Sequence, residues 1–446
     1  MDTKTIIAAA AIAFGVTALI SQIDLRGGKS APSVDMPGPG VAATIAATAA
    51  TAATGASYAA LLGDLDLRIE GLQKRANARA DDWLIRAHLA GNLLGRASLS
   101  NQIDDFARVE AVLDDAFAIA VAGSGPVLVA ARFNFAIHRL EAAEKYLDIL
   151  DRRAVPRADD TLAARVLRAE IAVQRGQYEH AFTELTAVAA IEPASANVEL
   201  ALYHAKTGDP TKAEALLEAA LASTEANDPR RRAWLRLQRG VLAMDRGDLQ
   251  AALQHLVDAD AELADWWLVQ ENIAEIHSRR DEHAEAVAIY EVLVSTVDLP
   301  QHMDALAALY RHKGEPEKAA ELIARAAARW ELQLAKFPES AMGHCLQHHL
   351  QFGTPERALE LALANYATRP GGDAQVALAR AYLQAGKPAE ALAMADKALA
   401  SPYRSARLHD VAAKAHAALG HTAAAEEQIN LRLALNPRFS DNEHSH

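Results

Sequence analysis

A short pattern headed by a small residue returns about every 34 residues along most of this chain. Val109, Ala143, Ala181, Ala213, Ala252, Ala286, Ala319, Ala358, Ala391 and Ala425 mark it, in steps of 32 to 39 residues. A period of this length, held through ten units, belongs to stacked supersecondary units that bury their apolar faces on one another. One compact enzyme domain has no reason to keep such a phase. A length of 446 residues ordinarily suggests two or three domains, but here it is expected to form one long array.

The unit is a helix pair. Gly176, Gly208, Gly247, Gly314, Gly353, Gly386 and Gly420 each lie five residues before a mark, where a left-handed cap ends the first helix without a Cβ clash. After Ala181, Leu185 and Val188 continue one apolar stripe, as Ala395 and Ala398 do after Ala391. Pro193, Pro370 and Pro437, twelve residues past their marks, stop the second helix. Asp281 stands where the glycine is expected, and the first two units align only through Ile103, Phe106, Leu113, Ala116, Leu147 and Leu150. The longer steps predict extended loops or helices near 153–159, 225–230 and 330–336. High alanine content, few aromatics and almost no strand signal agree with thin layers of closely packed helices.

From about Asp81 to Pro437 this recurrence of glycine, small residue, bulky apolar residue and proline resembles the tetratricopeptide repeat family. The resemblance implies an all-α, right-handed superhelical solenoid of about ten helix pairs, whose concave groove is lined by the first helices and receives a protein or peptide. The repeat register places Arg132, Glu170, Gln174, Lys206, Glu271, Glu275, Arg279, Asp304, Arg311, Gln347, Arg380, Gln384, Asp410 and Lys414 toward that groove as partner-binding candidates. The matched Lys and Asn set with which some members clamp a chaperone's terminal carboxylate is not found. The stretch from Leu65 through Leu72 to Asp82-Trp83-Leu84 is similar to the start of the repeat domain in cytochrome-maturation proteins, which implies an assembly factor for a metalloprotein or c-type cytochrome as an alternative function.

Ahead of the array, residues 5–23 are uncharged and rich in Ile, Leu, Val and Ala, close to the roughly 20 residues that a spanning helix needs. Residues 1–23 are therefore read as a short hydrophobic helix serving as membrane anchor, with a cleaved signal segment as the alternative. Residues 24–57 run from Gly/Pro-rich to Ala/Thr-rich sequence and read as a flexible linker; 58–80 is an amphipathic lead-in helix, 81–440 the array and 441–446 a tail. The expected location is a bacterial inner membrane with the repeats in the periplasm, or the periplasm itself after cleavage.

No phosphate-binding glycine loop with lysine, metalloprotease His pair, nucleophile turn or cysteine pair occurs, so no enzyme and no cofactor are expected. Gly123-Ser124-Gly125-Pro126 is read as an inter-unit turn. The net charge of -13 argues against nucleic acid, and the basic run Arg230-Arg231-Arg232 is read as a solvated helix start. His344, Cys345, His348 and His349 have helical spacing that suits a soft or borderline metal, but Cys345 and His349 fall on the buried stripe and packing is the preferred reading. The remaining alternative is a repeat module that responds to a small ligand.

Overall fold

The structure, a computed structural model, describes residues 56–153 and 158–439. The expected anchor at 1–23, nearly all of the linker and the tail at 441–446 lie outside the described residues. Among the described residues, no helix is long and apolar enough to cross a membrane.

A lead-in helix, Tyr58–Ala78, is followed by ten helix pairs, from Trp83–Ser100 with Ile103–Ile119 to Ala406–Ala418 with Thr422–Leu435. Ser57 caps the lead-in helix by accepting the Ala60 amide at 3.2 Å. The small marks are what let the two helices of a pair touch. Val109 and the alanines from Ala143 to Ala391 are all 0% exposed, whereas Ala425 in the last described pair is 6% exposed.

Left-handed backbone ends the first helix in nine of the ten units. Six use glycine, at Gly176, Gly208, Gly247, Gly314, Gly386 and Gly420. Asn101, His138 and Asp281 adopt the same conformation in the units that lack glycine, with φ of 54°, 60° and 61°. Gly353 departs from expectation: its φ is -98°, and it is small for another reason, since a Cβ there would lie 2.1 Å from His349 Nδ1. Of the longer steps, one is a loop between Ser223 and Pro229, and one is an extension of the helix Pro316–Lys336 to 21 residues. The third falls largely on residues outside those described. Gly123 and Gly125 form the expected turn, with positive φ at both.

Contacts between distant units set the architecture. Trp267 Nε1 donates to Leu99 O at 2.8 Å, and Gln102 Nε2 donates to Val297 O at 2.8 Å. Phe133 meets the Phe337 ring edge-on, and Arg139 lies over the same ring. Gly371 N donates to Gln174 O at 2.8 Å, and Arg404 N donates to Lys206 O at 2.8 Å. A Cβ on Gly247 would strike Asn436. The register drifts little: the C-terminal end of a first helix meets the start of the first helix five or six units later. The solenoid therefore completes a turn in about six units and lays its second turn on its first. Head-to-tail apposition of helix ends also suits the helix dipoles. A two-residue parallel pairing of Ala56–Ser57 with Leu263–Ala264 ties the lead-in helix into the same seam, the one strand feature among the described residues. Apolar burial crosses the seam too, with Tyr178 and Leu200 in one cluster with Val376, Tyr403 and Leu408.

Candidate functional site

Where the two turns meet, mainly first helices border a half-open chamber of about 160 Å³. One wall comes from the first turn, with His138, Glu170, Gln174, Glu199, Tyr203 and Lys206; the other comes from the second turn, with Gln347, Arg369, Asp373, Arg380, Tyr403 and Arg407. The Pro370-Gly371-Gly372 segment makes the approach possible. A Cβ on Gly371 would come within 2.7 Å of Gln174 O, and one on Gly372 would enter the Tyr403 ring. The Gly372 amide donates instead to Tyr178 Oη at 2.9 Å.

Charges in the chamber are unevenly satisfied. Lys206 Nζ reaches Asp373 Oδ2 at 2.5 Å, and Tyr403 Oη donates to Asp373 Oδ1 at 2.9 Å. Burial works to raise the Asp373 pKa, but Lys206 and Tyr403 hold it below the usual carboxylate value. Arg369 and Arg380 have neutral partners: Arg369 Nε donates to Asn365 Oδ1 at 2.8 Å, and Arg380 Nη1 donates to Gln347 Oε1 at 3.1 Å. Burial pulls both guanidinium pKa values down to about 10, still charged at neutral pH. His138 and His344 are held neutral by burial and then by the nearby Arg369 charge, with His344 pushed down to about 4.

Five of the fourteen groove candidates line this chamber: Glu170, Gln174, Lys206, Gln347 and Arg380. Arg132 is half-buried, with Glu170 acting on its charge. Glu271, Glu275 and Asp304 do not face an open groove; they are 0%, 1% and 3% exposed. Close packing of first helices in this tight superhelix encloses them. Glu275 Oε1 accepts from Arg279 Nε at 2.7 Å, and Asp304 accepts from Trp330 Nε1 at 2.9 Å. Asp410 is also engaged, with Arg432 at 2.7 Å and Lys414 at 2.8 Å. Arg311, Gln384 and Lys414 remain exposed on first helices, Arg311 lying 4.7 Å over the Phe352 ring.

The histidine cluster is divided. His348 Nδ1 lies 2.7 Å from Asp304 Oδ1, and His344 stacks on Trp330. Cys345 and His349 alone of the four share a group with Glu331, their ligand atoms lying within 4.8 Å of one another. The Cys345 thiol is buried and pushed up to about 12 by burial and then by the Glu331 charge, the state of a packed thiol rather than a reactive one. Burial of His348 rather than His349 corrects the expected stripe. The basic run is corrected as well: Arg230 is 6% exposed and Arg232 pairs with Glu262, because these side chains turn back onto the array.

Sequence reasoning did not find His138, Glu199, Arg369, Asp373, Tyr403 and Arg407. Their common property is position at a seam between units about 200 residues apart, which repeat phase does not encode. The Gly371-Gly372 pair was the available signal, since adjacent glycines at a helix start mark close backbone approach.

Comparison with known proteins gives two matches to the tetratricopeptide repeat family, at residues 303–335 and 373–405. Among curated proteins, none matches the sequence. The chain is similar to the solved structure of a tetratricopeptide repeat protein from Parabacteroides merdae, at 18% identity and a TM-score of 0.32, over 54% of this chain and 98% of that one. It is similar to yeast Tom70 at 15% identity and a TM-score of 0.40, over 85% of this chain and 89% of the other. The human IFIT1 dimer with m7Gppp-AAAA gives 13% identity and a TM-score of 0.40, over 84% and 94%. The matched segments coincide with the seventh and ninth helix pairs of an array that keeps one phase throughout, and the chain carries tetratricopeptide repeats in those pairs.

Proposed function

We propose that this protein is a non-enzymatic interaction scaffold that holds a protein or peptide partner against its first helices and supports assembly of a complex. The observation that carries the reading is the set of charged and amide side chains left exposed on first helices of the second turn, Arg311, Gln384 and Lys414. Side chains so placed can change partner contacts without disturbing the buried stripes that hold the units together. The apolar stretch at 5–23 supports a membrane tether, with the repeats on the periplasmic side.

The test is affinity capture from native membranes with the full chain, a chain lacking residues 1–57, and the double variant Arg311→Glu, Lys414→Glu. A partner retained by the first two and lost by the third is the expected result. A partner held equally by all three, or by none, overturns the reading. Fractionation of the full chain and the shortened one checks the tether, which requires that only the full chain sediments with membranes. A Cys-x-x-Cys-His peptide added as competitor tests the cytochrome-assembly alternative, which requires that it displace the partner.

A further inference from the structure

The chamber between the turns brings together two arginines whose hydrogen-bond partners are neutral. Many arginines on the faces of the array meet carboxylates instead: Arg232 with Glu262, Arg239 with Glu214, Arg175 with Glu144. Among the described residues, no carboxylate lies within the 4.0 Å of an ion pair from Arg369 or Arg380.

The nearby acids are already committed. Asp373 is held by Lys206 and Tyr403 and acts on Arg369 only through space, and Asp410 is held by Arg432 and Lys414. Glu170 and Glu199 line the opposite wall. Arg380 also has Arg407 as a like-charged neighbour, whose effect exceeds the opposing one of Asp410. Burying positive charge beside positive charge is costly unless a counter-charge enters.

The backbone makes room for this arrangement. Gly343, on the first helix of the eighth unit, lines the chamber, and a Cβ there would come within 2.7 Å of Arg369 Nη2. Arg369 spends its Nε on Asn365 and Arg380 its Nη1 on Gln347, so each keeps most of its donors. A planar guanidinium fork matches a carboxylate or phosphate group. The volume of about 160 Å³ is smaller than pockets that take drug-sized ligands.

We infer that the seam chamber is a binding site for a small organic or inorganic oxyanion, held by Arg369 and Arg380 and bordered by Lys206 of the first turn. An occupied site neutralises the second-turn wall and braces the two turns against each other. The inference is independent of the partner reading, because it concerns the interior of the seam and not the exposed first-helix residues.

The test is thermal melting and calorimetric titration of the full chain in an oxyanion-free buffer, with sodium phosphate, sodium succinate and sodium chloride at matched ionic strength. The expected result is saturable stabilisation by phosphate or succinate and none by chloride, the responding anion identifying the group as phosphoryl or carboxylate. Arg369→Gln and Arg380→Gln should each weaken binding at least tenfold. Arg380→Gln should also melt at or above the wild type without anion, because it removes a like charge, an outcome that loss of a purely structural arginine would not give. Gly343→Ala keeps every charge and displaces only the flexible end of Arg369, so it should fold normally and bind more weakly. Absence of saturable binding by either oxyanion, or binding unchanged in all three variants, overturns the inference. Saturation by an acidic peptide but by neither small anion overturns it too, and assigns the guanidiniums to a partner's side chains.

Discussion

At the residue scale, two glycines at equivalent repeat positions are required for different reasons. Gly386 has φ of 70° with open space around its Cβ position, so Gly386→Ala meets only conformational strain, at a cost of about 1 kcal/mol. Gly353 has ordinary φ but is crowded by His349, so Gly353→Ala overpacks the turn and costs about 1–3 kcal/mol. Urea denaturation of the two variants should rank them in that order, with the His349 environment changed only in the second. The buried histidines give the fold a pH dependence of definite sign. His344 is neutral when folded, its pKa taken from 6.5 to about 4 by burial and the Arg369 charge. Its contribution is fully present above the unfolded value and is lost as pH falls through the folded one. His138 acts in the same direction. The melting temperature should therefore fall between pH 6.5 and pH 4, and less steeply in His344→Gln.

At the element scale, the seam depends on what begins and ends each first helix. Phe337, 2% exposed, starts the eighth unit against Phe133 and Arg139 of the second, across the end of a helix extended to Lys336. Phe337→Ala should destabilise the protein by about 3 kcal/mol. Its distinctive effect is expected in hydrogen exchange, which should quicken around 133–139 as well as around 337. The last helix, Thr422–Leu435, shows the opposite condition, since Ala425 is its one buried residue and Ile429, Leu431 and Leu433 are exposed. Helix positions, turns and pair boundaries followed from phase in the sequence because each is set by neighbours within one unit. The left-handed Asn101 and His138 were missed for a related reason: backbone geometry at the cap is imposed by packing of the pair, and a residue other than glycine accepts it at modest cost.

At the scale of the whole molecule, stacking of turns changes what a solenoid ordinarily is. Repeat arrays behave as one-dimensional chains in which a unit senses only its neighbours. Here the Gly371, Gly372 and Arg404 amides donate to acceptors on Gln174, Tyr178 and Lys206 of the other turn. A chain lacking residues 1–208 should consequently show faster amide exchange at Gly371, Gly372 and Arg404, far from the cut. Unchanged protection there would mean that the turns do not support each other. The overall charge of -13 likewise conceals a second-turn chamber wall bearing Arg369, Arg380 and Arg407, so the sign of the inner surface cannot be read from composition. By itself the sequence determined the helical unit, its period, the six glycine capping turns and the buried marks, because these rest on backbone sterics and on contacts a few residues apart. Only the tertiary structure decided which first-helix side chains face a partner, which are enclosed and which meet across the seam. The reason is that the number of units per turn arises from small rotations summed over many interfaces, and residues about 200 positions apart become neighbours only after that sum is complete.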